Sequence, residues 1–146
     1  MTPDEVLSRA VEILEHDGWT QGFYCDAAES ILEAESEDDR KYAAWQAYYN
    51  APVCSMGALH RAAGLTANGE WDSNRLFAEE FGTALDVVGK ATERLAAQVD
   101  TSLIENLEEC GGRPFALVIN HNDSPAASKE DVVLAFKRAI NGKAGS

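Results

Sequence analysis

Cys54, His121 and Asp123 are the residues of this 146-residue chain whose types and order best fit covalent chemistry. A cysteine attacks as a thiolate when a histidine takes its proton and a carboxamide or carboxylate orients that histidine. Asn50 and Pro52 stand just ahead of Cys54, which places the thiol in the first turn of a helix, where the macrodipole favours its ionised form. His121 comes later, with Asn122 and Asp123 beside it. Such a set would serve a cysteine-dependent hydrolase or transferase. Their adjacency argues against it, because an orienting group must reach the far ring nitrogen and normally comes from another element. The competing reading makes Cys54 a small buried residue in a helix rich in Ala and Gly. It makes Asn120 to Asp123 a turn, closed by side chains that bond readily to nearby backbone.

Other chemistries have less behind them. His60 follows Cys54 by six residues, roughly 240° round a helix, so the two do not share a face. Cys25, Cys54 and Cys110 form no C-x-x-C pair. A metal held by Cys54, His60, His121 and Asp123 has no spacing to recommend it, and neither metal nor cofactor is expected. Gly-rich phosphate loops, G-x-S-x-G elbows and H-E-x-x-H helices are absent from the sequence.

Charge gives a different lead. Twelve Lys and Arg against 25 Asp and Glu leave a net charge of −13 and a pI near 4.5. Nucleic acid and anionic lipid would repel such a chain, so neither is an expected partner. The acids crowd between Asp26 and Asp39, next to Tyr42, Trp45, Tyr48 and Tyr49. Solubility is the plain purpose of such a face. Its functional purpose would be to meet a basic, aromatic-accepting protein partner, with Glu35, Glu37, Asp38, Asp39, Trp45 and Tyr49 as contacts and Asn122 as a further candidate. Imitation of DNA towards a DNA-binding enzyme is the remaining alternative.

The elements that must position these residues are mainly helical. Thr2-Pro3-Asp4-Glu5 is a capping box with Pro at the first helical position, and it predicts a helix from Pro3 to Asp17 ended by Gly18. Trp19 is expected to fold back on its last turn. A short helix and an acidic turn follow Asp26, then a helix over Arg40–Tyr49. The next helix carries Val53, Cys54, Met56 and Leu59 and stops at Gly64, with Gly57 and Ala58 allowing close approach by a neighbour. The longest helix is predicted over Asn74–Gln98, with Phe77, Phe81, Leu85, Val88 and Leu95 on its buried face. Gly82, Gly89 and Ala96 recur along it, and interior glycines cost about 1 kcal/mol each, so a close neighbour is expected there. Thr101 and Ser102 can cap a short helix that ends at Gly111-Gly112. Pro114 to Ile119 is an apolar run of strand length. Ser128 caps a last helix carrying Val132, Val133, Phe136, Ala139 and Ile140, and residues 143–146 should fray. The expectation is one compact domain over residues 1–146, mainly α, of about six helices with room for one or two short strands. At 146 residues it can bury about two thirds of its unfolded surface, and 45% hydrophobic residues suffice for one packed core.

Met1-Thr2-Pro3-Asp4-Glu5 has neither a basic n-region nor an apolar h-region, and no apolar run reaches the roughly 20 residues that span a bilayer. A cytoplasmic protein with reduced thiols is expected.

Three segments carry a resemblance: Gly18-Trp19-Thr20-Gln21-Gly22, Cys54-Ser55-Met56-Gly57-Ala58-Leu59, and Asn122-Asp123 followed by Ser128 and Val132. Together the chain resembles a group of small proteins of unknown function from actinobacteria and their phages. That resemblance implies a source and a bacterial or host cytoplasm, and no mechanism. The leading expectation is a small acidic protein-binding or regulatory module.

Overall fold

The computed structural model describes residues 1–22, 24, 36–38 and 49–141. The helices expected over 26–39 and 40–49 lie largely outside these residues, as do Cys25, Glu35, Asp39 and Trp45. Within them the fold is mainly helical.

Helix α1 (Pro3–His16) starts as its capping box dictates: the Thr2 hydroxyl accepts the Glu5 N–H at 3.2 Å, and Glu5 reaches back to the Thr2 N–H at 3.3 Å. Val6, Leu7, Ala10, Val11 and Leu14 form one buried stripe. Gly18, at φ +101°, turns the chain out of the helix. Trp19 packs against the apolar core. It runs alongside Val53 in a parallel bridge, with Thr20 N–H on Val53 O at 3.1 Å and Val53 N–H on Gly18 O at 3.2 Å.

Helix α2 (Ser55–Ala62) is buried on every side. It begins later than Asn50 and Pro52 suggest, because residues up to Val53 are held extended by that bridge; Cys54 is its N-cap rather than a member of its first turn. Gly57 is there for the reason expected. A Cβ on it would stand 2.2 Å from the Tyr24 carbonyl oxygen, so the Tyr24 backbone can lie directly on the helix. The helix ends at Ala63, and Gly64 takes φ +88°.

The long helix predicted from Asn74 begins only at Phe81. Asp72 organises a turn, its carbonyl accepting Arg75 and Leu76 N–H, and a 3-10 turn (Ala78–Glu80) precedes α3 (Phe81–Ala96). The buried face of α3 is Ala84, Val88, Ala91, Thr92, Leu95 and Ala96; Phe77 and Leu85 are exposed. The glycine stripe has no neighbour among the described residues: a Cβ at Gly82 or Gly89 would meet nothing within 4 Å.

Asp100, not Thr101 or Ser102, caps a 3-10 turn over Thr101–Leu103, and α4 (Leu107–Cys110) stops at left-handed Gly111. The apolar run from Pro114 is a helix, not a strand. Helix α5 (Pro114–Asp123) has Pro at its start and continues through Asn120 to Asp123, which therefore end a helix instead of forming a turn. Its buried residues are Val118, His121 and Asn122, spaced i, i+3, i+4, so two polar side chains complete a helical stripe that apolarity alone leaves unfinished. Helix α6 (Lys129–Asn141) is capped by Ser128 with Asp131, and Phe136 is fully buried.

α1 packs on α2, α3 and α6; α3 and α2 pack on α5. One apolar cluster joins them, with Leu7, Leu14, Leu59, Leu95 and Phe136 at its centre. This arrangement sets the start of α2 against the end of α5, and the site lies there.

Candidate functional site

The polar centre of the site is Asn122. It is fully buried, and α5 delivers its carboxamide to the point where α2 starts and the 18–22 loop passes. Its Oδ1 accepts three hydrogen bonds: from Trp19 Nε1 at 2.8 Å, from the Ser55 N–H at 2.9 Å and from the Ser55 hydroxyl at 2.8 Å. Its Nδ2 donates to Thr20 O at 3.1 Å and to Asp123 Oδ1 at 3.0 Å. Gln21 Nε2 donates to the Asn122 and Ser124 carbonyls at 3.0 and 2.8 Å, and Gly22 N–H donates to Asp123 Oδ1 at 2.9 Å. One side chain thereby joins its own helix to two segments that lie 67 and 103 residues before it in the chain. Each of its polar atoms is used, which suits a residue at zero exposure.

Asn122 was a candidate contact from sequence; its burial makes it a positioning residue instead. What it positions is the floor of a cleft of about 400 Å³, a size ordinary for small-ligand sites. Phe115, Ile119 and Asp123 line one wall, four residues apart on α5. Gly22 and Tyr24 come from the loop, Cys54 from the start of α2 and Asn68 from the turn beyond it. Phe115 is 50% exposed, so the cleft opens to solvent along that wall.

Cys54 and Asp123 therefore share the cleft, and His121 does not join them. On α5, His121 and Asp123 are two residues and about 200° apart. His121 is 1% exposed, and its Nε2 has no hydrogen-bond partner among the described residues. Burial holds its pKa below the usual value, against the pull of the Asp131 and Asp100 carboxylates, so the ring is neutral. The Cys54 thiol is also unprepared for attack. Burial pushes its pKa up, and the Asp123 charge adds to that; hydrogen bonds from Gly57 and Met56 N–H oppose the rise without reversing it. The Gly57 N–H lies 3.4 Å from the sulfur. A nucleophile, base and orienter in line are not what this geometry provides. Desolvation opposes the thiolate that a helix start would favour.

His60 lies behind the cleft. Its Nδ1 is 2.8 Å from Ala67 O, which fixes the proton on that nitrogen, and its ring centroid is 5.9 Å from that of Tyr24. Burial lowers its pKa. Among the described residues, no group of three His, Cys, Asp or Glu side chains is placed to hold a metal ion. Cys54 and Cys110 are free thiols.

Of the acidic patch, Glu37 and Asp38 are described and exposed, and Tyr49 is half-buried away from the cleft's described lining. Sequence reasoning missed Tyr24, Asn68, Phe115 and Ile119. The signal for two of them was the four-residue recurrence 115, 119, 123, hidden once 114–119 is read as extended.

Among the described residues no helix is long and apolar enough to cross a membrane. No curated protein and no solved structure matches the chain. Residues 1–142 match the model of a family of unknown function, DUF6197, and the chain belongs to that family.

Proposed function

We propose that this DUF6197 member works by binding, as a small acidic protein-binding or regulatory module, and that the cleft beside Asn122 is its recognition site. The reading includes a cytoplasmic setting in an actinobacterium or in the host of its phage. The observation that carries it is the construction of the cleft. Three distant segments are tied by one buried carboxamide into a solvent-open pocket, while burial disfavours the charged forms of the Cys54 thiol and the His121 imidazole, and His121 is not among the described lining. A pocket so supported is positioned for recognition. The negative charge of the chain favours a basic partner.

Immobilised protein and host lysate test this, with two variants side by side. Phe115→Asp alters the exposed wall of the cleft without touching the core. Charge reversal at Glu35, Glu37, Asp38 and Asp39 alters the acidic stretch alone. A partner lost with Phe115→Asp supports the cleft. A partner kept by Phe115→Asp and lost on charge reversal moves the site to the acidic stretch.

A further inference from the structure

We infer that the cleft receives a protonated amine carried on an apolar stem, an inference that rests on the cleft being the binding site. Its polar end is Asp123. Oδ1 of that carboxylate is held by two neutral donors, Gly22 N–H at 2.9 Å and Asn122 Nδ2 at 3.0 Å. No ion pair among the described residues involves Asp123, and neither Lys nor Arg is among the cleft's described lining. The carboxylate is thus fixed in orientation, and no cationic side chain among the described residues pairs with it, which suits an ammonium group from outside. Beside Cys54 and the polar Asn68, the cleft presents an apolar and aromatic surface, with Ile119 and Phe115 on one wall and Tyr24 from the loop. An alkyl or aryl stem would bury against Ile119 and Phe115, and aromatic rings near the cation add to the attraction.

Other ligand classes fit less well. An anion would meet Asp123 with no basic side chain among the described lining to receive it, and the chain's charge of −13 would repel it. A metal ion would find one carboxylate, one protonated thiol and one carboxamide, which is a poor donor set. The amine can come from a lysine side chain of a partner protein or from a free organic amine, and the test separates them.

The experiment is titration of the full chain with 2-phenylethylamine, 2-phenylethanol and 3-phenylpropionate, read from the backbone amide shifts of Gly22, Ile119 and Asp123. The amine should shift these amides and bind at least about tenfold more tightly than the alcohol, with the acid weakest. Asp123→Asn keeps an oxygen for Gly22 and should erase the preference for amine over alcohol; Phe115→Ala should weaken both. Should Asp123→Asn fold poorly, the amine–alcohol ratio in the unaltered protein and its decline with salt decide the matter. A lysine-bearing basic peptide that binds more tightly than the free amine, and is lost on lysine acetylation, assigns the source to a partner protein; the reverse order assigns it to a free amine. Equal binding of amine and alcohol overturns the amine and leaves the cleft as a site. Absence of any shift at those amides, with every probe, overturns the cleft as well.

Discussion

The buried stripe of α1 and the hub at Asn122 hold equally buried side chains by opposite means. Val6, Leu7 and Leu14 sit at zero exposure and are held by contacts that have no direction. Asn122 sits at zero exposure too, but it is held by bonds that each demand a partner in one place. The first kind of burial tolerates a change of shape at the cost of a cavity. The second leaves donors stranded when one partner goes. The lesson is that α1 makes the fold stable, whereas Asn122 makes one region of it specific.

The sharpest way to break this comparison is at Asn122. Asn122→Leu is expected to strand the Trp19 indole N–H and the Ser55 N–H, at about 1–3 kcal/mol for each orphaned group. Its total loss in urea unfolding should reach about 4 kcal/mol, and a loss under about 1 kcal/mol would mean that water replaces the hub freely. Leu7→Ala should come next, at about 2–5 kcal/mol, through transfer and cavity terms alone. Thr2→Ala removes one half of the α1 capping box and should cost about 1 kcal/mol. Gly89→Ala, on the exposed side of α3, should raise stability by about 0.5–1 kcal/mol; a loss there would restore the close neighbour that the sequence suggested.

Acid should expose a further contrast, since the polar parts titrate and α1's stripe does not. His121 and His60 both have pKa values lowered by burial. Below the ordinary histidine value of 6.5 the unfolded chain takes up protons that the folded chain still refuses. Stability is therefore complete above 6.5 and falls as pH drops towards the folded values. Unfolding curves at stepped pH should show this loss, and His121→Gln should flatten part of it. An unchanged slope in that variant would place the acid sensitivity elsewhere.

Much of α1 and α6 was legible because each carries every signal at once: a Thr2 or Ser128 cap, a carboxylate three residues on, and apolar residues in helical step. The stop signals at Gly18, Gly64 and Gly111 also held, each with positive φ. Failures came where one element's conformation depends on another's chemistry. Phe77 fits a helical period and yet faces outward, because the turn at Asp72 delays α3 and leaves it outside the helix, while Leu85 lies within α3 but off the stripe of Ala84, Val88, Ala91 and Leu95. Pro114 to Ile119 looked like a strand because its helical stripe is completed by His121 and Asn122, which no apolar pattern counts. The site was legible only in pieces. Cys54, Asn122 and Asp123 stand out by type, but the bonds that join Asn122 to Trp19, Gln21 and Ser55 cross 67 to 103 residues of chain. Local propensity carries no information over such distances.

Recognition without covalent chemistry at the cleft, as proposed, is tested by the pH dependence of Cys54 alkylation in folded protein with Cys25 and Cys110 replaced by serine. The thiol should ionise above the ordinary range, with slow labelling at neutral pH. A thiolate already formed at neutral pH, labelled rapidly and sensitive to replacement of His121, would contradict it.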